Sequence, residues 1–281
     1  MIESGRYDNP FSVLGPHDID GELVVVAFDP GAASMAALTN GTAHPLLRVD
    51  GTSLFAGLVP SREYGLQGTS AEGATWDYDD AYRFGPVLGE FDEYLLGEGA
   101  HQKLWNALGA HVITHQGVRG THFAVWAPNA SRVSVVADFN HWDGRRHVMR
   151  RRGATGVWEI FVPEVGDGTA YKYEIVSASG QTLPLKADPV GFGAEHPPAK
   201  ASIVRDISGY GWHDADWMGN RSANNARDAA ISVYEVHLGS WRRKDGARRI
   251  SYKEAAEELI AYVKDMGCLL LTSEAADDYI T

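Results

Sequence analysis

The chain has 281 residues, of which 44% are hydrophobic, and its formal net charge is −12. This length allows two or three domains with packed cores, whereas the acidic balance argues against nucleic-acid binding, which needs a surplus of lysine and arginine. A single cysteine excludes an intrachain disulfide, the N-terminal segment is too polar for a signal peptide, and no apolar run is long enough for a membrane helix, so we expect a cytoplasmic protein with no membrane partner.

Residues 10–76 are predicted to form a first β-sandwich module, because short apolar runs alternate there with turn residues. Two sequence echoes relate this module to later residues. The run 27–32 resembles 125–130, and the run 54–60 resembles 157–163. Both echoes keep their order at a separation of about 100 residues, and repeats of this kind predict a second module with the same architecture.

Residues 77–110 are predicted to form a helical connector between the two modules. Leu104 and Leu108 are separated by four positions, as on one face of a helix. Gly109 follows at once and is a typical residue for ending a helix.

No metal site is predicted in or near this connector. Asp77, Asp79 and Asp80 lie close together, but the glycine and glutamate of a calcium-binding loop do not follow them. His111 and His115 have the spacing of metal ligands on a helix, yet they lie in a strand-like run. We therefore expect both histidines on a solvated surface.

Residues 111–206 are predicted to form the second β-sandwich module, and Phe123–Asp143 is its most informative segment. This segment alternates like a strand, turns at a proline, alternates again and reaches a polar turn that contains Trp142. A flat indole on a rigid turn suits the apolar face of a sugar ring, although Trp142 could equally be a half-buried residue at the rim of the sheet. Trp158 lies in an alternating strand and is expected in the core.

The sequence pattern changes after residue 206. Residues 207–230 are polar and predict a linker, and Ile231–Leu238 is an apolar strand. Residues 251–254 form a capping box that should start a helix, and Gly267 is a typical stop after it. A further apolar run follows, so residues 231–281 predict the strand–helix–strand opening of a parallel α/β fold.

These motifs resemble the N-terminal half of the bacterial 1,4-α-glucan branching enzymes, most closely over residues 84–267. Residues 10–76 are similar to the extra β-module of the longer branching enzymes, and residues 111–206 resemble the family's starch-binding-type module (CBM48-like). The matching runs are Leu88–Glu90, Gly99–His101, Leu108–His111, Phe123–Asp143, Gly156–Glu159, Tyr171–Glu174, Lys186–Pro189 and Tyr234–Trp241.

The resemblance implies a mainly β chain: two tandem immunoglobulin-like β-sandwich modules, followed by the incomplete βα start of a TIM barrel. It implies an enzyme of glycogen biosynthesis that cuts an α-1,4-glucan and transfers the freed segment to a 6-hydroxyl, with two carboxylates and no cofactor. The barrel needs about 250 residues, and the family's catalytic carboxylates lie on later strands than the one beginning at Ile231. We therefore assign no catalytic residue and expect the chain alone to be inactive.

The final residues, 268–281, depart from the family pattern, and we hypothesise a frameshift or an early stop at this point. Two other interpretations stay open. The chain could be a non-catalytic glucan-binding protein, or a fragment of a related debranching or trehalose-releasing barrel enzyme.

The resemblance also implies a carbohydrate-binding face. Trp142 and Lys172 match positions that contact glucan in related glycogen-binding modules, where the indole stacks on a sugar and the lysine hydrogen-bonds to hydroxyls. The hairpin at residues 179–183 lacks the second aromatic residue that some of these modules carry. We therefore expect weak binding of an α-glucan, with no nucleic-acid partner and no metal or cofactor site.

Overall fold

The computed structural model describes residues 2–3, 7–267 and 270–273, and the chain divides into two compact units at residues 209 and 210. The prediction of a mainly β chain is confirmed. The described helices are α1 (Glu90–Gly97), α2 (Leu104–Ala107), α3 (Ala215–Asn224), α4 (Leu238–Trp241) and α5 (Tyr252–Asp265). The described strands are β1 (Gly15–Ile19), β2 (Glu22–Phe28), β3 (Ser34–Thr39), β4 (Thr42–Arg48), β5 (Leu54–Leu58), β6 (Gly65–Thr69), β7 (Thr75–Asp79), β8 (Gly109–His115), β9 (Val118–Trp126), β10 (Ala130–Ala137), β11 (Arg150–Arg152), β12 (Val157–Pro163), β13 (Ala170–Ser177), β14 (Gly193–Ala194), β15 (Ser202–Ile203), β16 (Val233–Val236), β17 (Arg243–Lys244), β18 (Arg248–Arg249) and β19 (Leu270–Ser273).

The first module is an antiparallel sheet that folds over on itself into a sandwich. Its strands are ordered β1-β2-β5-β4-β3-β6-β7. Strand β4 pairs with β5 at one end and with β3 along the rest of its length, so it belongs to both layers. Val25 and Phe55 from one layer meet Leu66 from the other in the buried core. Strand β7 ends at Asp79 and therefore runs past residue 76, where the sequence indicated the end of the module.

The connector contains two short helices, α1 and α2. Helix α1 comes earlier than the predicted helix, and α2 is confined to Leu104–Ala107. Gly109 has a φ of +102°, a conformation that glycine adopts readily, and it is the first residue of β8. Gly109, which the sequence predicted to end a helix, therefore lies where the chain passes from α2 into β8.

A buried carboxylate anchors the connector to the second module. Glu159 on β12 is 1% exposed and accepts hydrogen bonds from the backbone amides of Val87 and Leu88, at 3.2 and 3.0 Å. The Nε2 atom of His122 lies 2.9 Å from the same carboxylate, and the Nε atom of Arg152 lies 3.2 Å away. Burial alone would raise the pKa of Glu159, but these donors lower it overall.

The second module is a sandwich of two four-stranded sheets, ordered β10-β13-β15-β14 and β11-β12-β9-β8. Its core joins Phe123 and Trp158 of one sheet to Val135 and Tyr173 of the other. Trp158 is 1% exposed, which confirms its predicted place in the core. The prediction of two β-sandwich modules is therefore confirmed.

The two modules repeat the same strand pairings, as the sequence echoes predicted. Ala27 of β2 pairs with Phe55 of β5, and at the equivalent place Val125 of β9 pairs with Trp158 of β12. Strand β3 likewise pairs with β6, as β10 does with β13. The repeat therefore includes these strand pairings as well as the residue patterns.

The second unit contains the predicted strand–helix–strand. Strands β16 and β19 are parallel, and α5 lies between them in the chain. The capping box is confirmed, because Ser251 Oγ accepts from the Glu254 amide at 3.3 Å and Glu254 Oε2 accepts from the Ser251 amide at 2.8 Å. Leu259 and Val263 of the helix are buried against Val236 of the strand.

Two further segments of the second unit contain regular structure. Helix α3 lies within 207–230, the predicted linker, and none of its residues is buried. The segment between β16 and α5 contains α4 and the hairpin β17–β18. That hairpin turns at Asp245 and Gly246, with φ of +53° and +74°, and an Asp-Gly pair is the sequence signal for such a turn.

The predicted departure of residues 268–281 from the family lies outside the described residues, except for the backbone of 270–273. Among the helices that the structure does describe, none combines the length and the apolar character needed to cross a membrane.

Candidate functional site

The polar turn after β10 holds Trp142 in a defined position. A 3₁₀ helix at Asp138–Asn140 ends the strand, and His141 and Trp142 then both adopt the left-handed conformation, with φ of +58°. Asn140 supports the turn, because its Oδ1 accepts from the Ala137 amide at 3.0 Å and its Nδ2 donates to a β10 carbonyl at 2.9 Å. Two successive non-glycine residues in this conformation are uncommon, and such strain is often found at functional sites.

A hydrogen bond from the ring nitrogen of Trp142 fixes the orientation of its indole. Its Nε1 donates to Asp138 Oδ1 at 2.7 Å, and its backbone amide donates to the Ala137 carbonyl at 2.9 Å. The side chain is half-buried, so part of the ring remains open to solvent. A ring oriented in this way loses little conformational freedom when a ligand stacks on it.

Lys172 lies at the same end of the same strand pair. It pairs with Val136, and Ala137 pairs with Tyr171. The neighbours of Lys172 on β13 belong to the core, so Lys172 projects from the outer face of the sheet. Since the Trp142 amide is bonded to the Ala137 carbonyl, the strand pairing brings both predicted residues to one corner of the module.

An ion pair that the sequence reasoning missed holds the Trp142 loop against this face. Arg132 Nη2 pairs with the Glu174 carboxylate, and Arg132 Nη1 donates to the Gly144 carbonyl at 2.7 Å. A Cβ atom at Gly144 would overlap the carboxylate end of the Glu174 side chain, so a larger residue here would require that carboxylate to move. The alternation in β10 and β13 marks these as outer-face positions, but it does not show that they pair.

A buried network beneath the face supports β13. The hydroxyls of Tyr171 and Tyr173 donate to Asp188 Oδ2 at 2.7 and 3.0 Å, and the Asp188 amide donates to Ser202 Oγ at 2.8 Å. Burial raises the pKa of Asp188, although its hydrogen bonds oppose the rise. The run Lys186–Pro189, which the sequence analysis used only as a family match, therefore has a structural role.

The candidate metal residues are engaged in structural hydrogen bonds. The Nε2 atoms of His111 and His115 lie 2.9 and 3.1 Å from the carbonyls of Leu108 and Gly85. Both rings are half-buried, so the expectation of a solvated surface is wrong. The aspartates within 77–80 accept hydrogen bonds from neighbouring side chains. No group of three potential ligands is placed to hold a metal in the portion of the chain described.

The loop that carries Trp142 also ties the two modules together. Arg146 Nη2 lies 2.9 Å from Oδ1 of Asp29, a fully buried carboxylate that also accepts from Trp76 Nε1 at 3.1 Å. The Tyr82 hydroxyl donates to the Arg146 carbonyl at 3.1 Å and accepts from the Val148 amide at 2.9 Å. The predicted binding face is therefore attached to a rigid junction between the modules.

Two protein families match separate parts of the chain. The N-terminal domain of the alpha-1,4-glucan branching enzyme GlgB matches residues 1–82. Carbohydrate-binding module 48 (isoamylase N-terminal domain) matches residues 107–191. The two matches fall on the two sandwiches seen in the structure.

Individual relatives agree with these matches. The chain is 57% identical to the 1,4-alpha-glucan branching enzyme GlgB of Roseobacter denitrificans, with 95% of this chain and 38% of the relative covered. It is 51% identical to the enzyme of the same name from Paramagnetospirillum magneticum, with 95% and 36% covered. The chain thus spans a little over a third of these relatives. Both are branching enzymes, which favours that interpretation over a debranching or trehalose-releasing enzyme.

A solved structure, a pullulanase from Anoxybacillus sp. LM18-11 complexed with maltotriose, is 16% identical to the chain, with a TM-score of 0.43. The comparison covers 95% of this chain and 39% of the pullulanase.

Proposed function

We propose that this chain, which corresponds to the N-terminal region of the 1,4-alpha-glucan branching enzymes, holds an α-glucan on the outer face of its second module. The observation that carries the proposal is the position of Trp142, whose indole is fixed by the bond to Asp138 and lies at the same corner as Lys172. An indole can cover the apolar face of a glucosyl ring, and an ammonium group can donate to its hydroxyls.

In this proposal the second module positions glycogen or a maltooligosaccharide for an enzyme that cuts α-1,4-glucan and makes α-1,6 branches in the cytoplasm. The first module and the connector brace that face through Arg146 and Glu159. A neutral polymer suits a chain with a net charge of −12, because it meets no charge repulsion. No cofactor is required for this role.

The chain by itself is not expected to catalyse branching. A (β/α)₈ barrel builds its active site from loops after several strands, and glycosidic chemistry of this class needs two opposed carboxylates. Among the described residues, the second unit provides one parallel strand pair, β16 and β19. An iodine-stain branching assay on the purified chain should show no activity, and clear branching would refute this part of the proposal.

Affinity electrophoresis in gels containing glycogen tests the binding role. We expect glycogen to retard the unsubstituted chain, and Trp142→Ala to weaken binding by about tenfold, the size of one lost aromatic contact. Trp105→Ala is the matched control, because Trp105 is 54% exposed on α2, outside the proposed face. Absence of retardation for the unsubstituted chain, or equal retardation of both variants, would contradict the proposal.

A further inference from the structure

A cavity lies between the two β-sandwich modules, and neither Trp142 nor Lys172 lines it. Residues 76–79 of the first module line it, together with parts of 139–147 and 162–165 of the second. Its volume is about 470 Å³, within the range of sites that bind small molecules. Both modules belong to the same compact unit, so the cavity is a defined feature of the fold.

Three aromatic rings give this cavity apolar walls. Trp76, Tyr78 and Phe139 are each half-buried, with part of the ring accessible. The bond from Trp76 Nε1 to Asp29 fixes the orientation of the indole. Tyr78 also lines the cavity, and a tyrosine hydroxyl can both donate and accept hydrogen bonds.

The backbone places two polar side chains at the cavity through unusual conformations. Glu164 and His141 both line it, with φ of +61° and +58°. Non-glycine residues are uncommon in this region of φ, and here they fix the direction in which both side chains leave the backbone. His141 immediately precedes Trp142, so one strained turn supplies the cavity with one residue and the outer face with the next.

The lining has the chemistry of a site for a neutral, hydroxyl-rich ring. Aromatic walls cover the apolar faces of such a ring, while the carboxylates of Asp77 and Glu164 can accept from its hydroxyls. Arg146, which is paired with Asp29, also lines the cavity and adds hydrogen-bond donors. A phosphate or another anion would be repelled by the two carboxylates.

We propose that this cavity is a second carbohydrate site, formed jointly by both modules, that binds a short α-1,4-linked oligosaccharide such as maltotriose. The choice of an α-glucan as the ligand rests on the proposed function, whereas the existence of the cavity does not depend on it. The site requires the two modules to be docked, so it would couple their relative arrangement to the presence of glucan.

Indole N–H signals of the full ¹⁵N-labelled chain test this proposal. In the Trp142→Ala variant, maltotriose should produce a saturable shift of the Trp76 signal, assigned by its loss in Trp76→Phe. In the unsubstituted chain the Trp142 signal reports the outer face separately, so failure of one site is distinguishable from failure of the other. A Trp76 signal that does not move, whatever Trp142 does, would overturn the cavity proposal.

Substitutions at the cavity define the ligand contacts. Glu164→Ala should raise about tenfold the maltotriose concentration at which the shift of the Trp76 signal is half complete. This is the effect expected for a lost hydrogen bond to a charged group. Asp20→Ala is the matched control, because Asp20 is also acidic, exposed and left-handed, with φ of +52°, but lies in the turn between β1 and β2. Unchanged affinity in Glu164→Ala, or a Trp76 shift with spermidine and none with maltotriose, would overturn the assignment to a sugar.

Discussion

The two β-sandwich modules share central strand pairings, and one connection between their strands differs in length. In the first module, β3 passes to β4 through the two-residue turn Asn40–Gly41, with φ of +48° and +77°, the tightest way to join antiparallel strands. In the second module, the equivalent strand β10 is followed by a long loop that includes Trp142 and Arg146. Of the two proposed binding residues, Trp142 lies on this longer loop, whereas Lys172 lies on strand β13 of the shared framework.

A second difference lies within the paired strands. Leu38 pairs with Gly65 in the first module, and at the equivalent place Val136 pairs with Lys172 in the second. The first module therefore has neither the indole nor the ammonium group at this corner. Under the proposed function, we therefore expect glucan binding in the second module, which carries both groups, and not in the first.

The largest expected effect comes from removing the tie between the modules. Arg146→Ala leaves the fully buried carboxylate of Asp29 without its cationic partner. Loss of one member of a buried ion pair costs about 3–5 kcal/mol of unfolding free energy. Urea unfolding followed by tryptophan fluorescence should show this loss, and the two modules should then unfold in separate transitions.

Arg145→Ala is the control for this prediction, since it removes a neighbouring arginine of the same loop. Arg145 is 40% exposed and pairs with Asp143 within the loop, so its loss should cost less than about 1 kcal/mol. Equal destabilisation by both variants would mean that Arg146 acts only through the local loop and not through the other module.

The next effect distinguishes the modules by pH. Burial raises the pKa of Asp80, at the end of the first module, from 3.8 to about 6. Its contribution to stability is therefore complete below pH 3.8 and is lost as the pH rises through 6. Burial lowers the pKa of His147, in the second module, from 6.5 to about 4. Its contribution is complete above pH 6.5 and is lost as the pH falls through 4.

Each of these pKa differences corresponds to about 3 kcal/mol between the two ends of its pH range. Between pH 4 and 7, the stability of Asp80→Asn relative to the unsubstituted chain should rise with pH. The relative stability of His147→Gln should fall over the same range. Urea titrations at several pH values measure both trends, and trends of the same sign would contradict the opposite roles of the two groups.

Local sequence patterns were sufficient for much of the fold. Apolar alternation and the two echoes indicated the paired ladders, and the capping box at Ser251 marked the start of α5 correctly. Strand β4 was harder, because membership of two layers is a property of its partners and leaves no periodicity of its own. Helix α3 is polar, with no residue buried, so it lacks the apolar stripe that predicts a helix.

The site could be predicted only in part, and for a related reason. Trp142 and Lys172 were found through the family resemblance, and the turn residues around Trp142 agree with its rigid placement. The bond between Asp29 and Arg146 joins residues 117 positions apart, and no local pattern indicates such a contact. The cavity between the modules likewise exists only because the modules dock, so a sequence read one module at a time cannot show it.

The smallest expected effect sharpens the comparison at a single matched position. Lys172→Gly gives the second module the residue of the first and should weaken glycogen binding by about fivefold, the loss of roughly one hydrogen bond. Lys172→Met, which keeps the aliphatic stem, should show the same loss if the ammonium group is responsible.

The reverse change, Gly65→Lys, is sterically allowed, because its Cβ would lie 3.6 Å from the Tyr78 carbonyl oxygen. It should add no retardation in glycogen gels, since the first module has a two-residue turn where the second carries Trp142. A gain of binding in Gly65→Lys would show that the strand position alone suffices and that the inserted loop is dispensable.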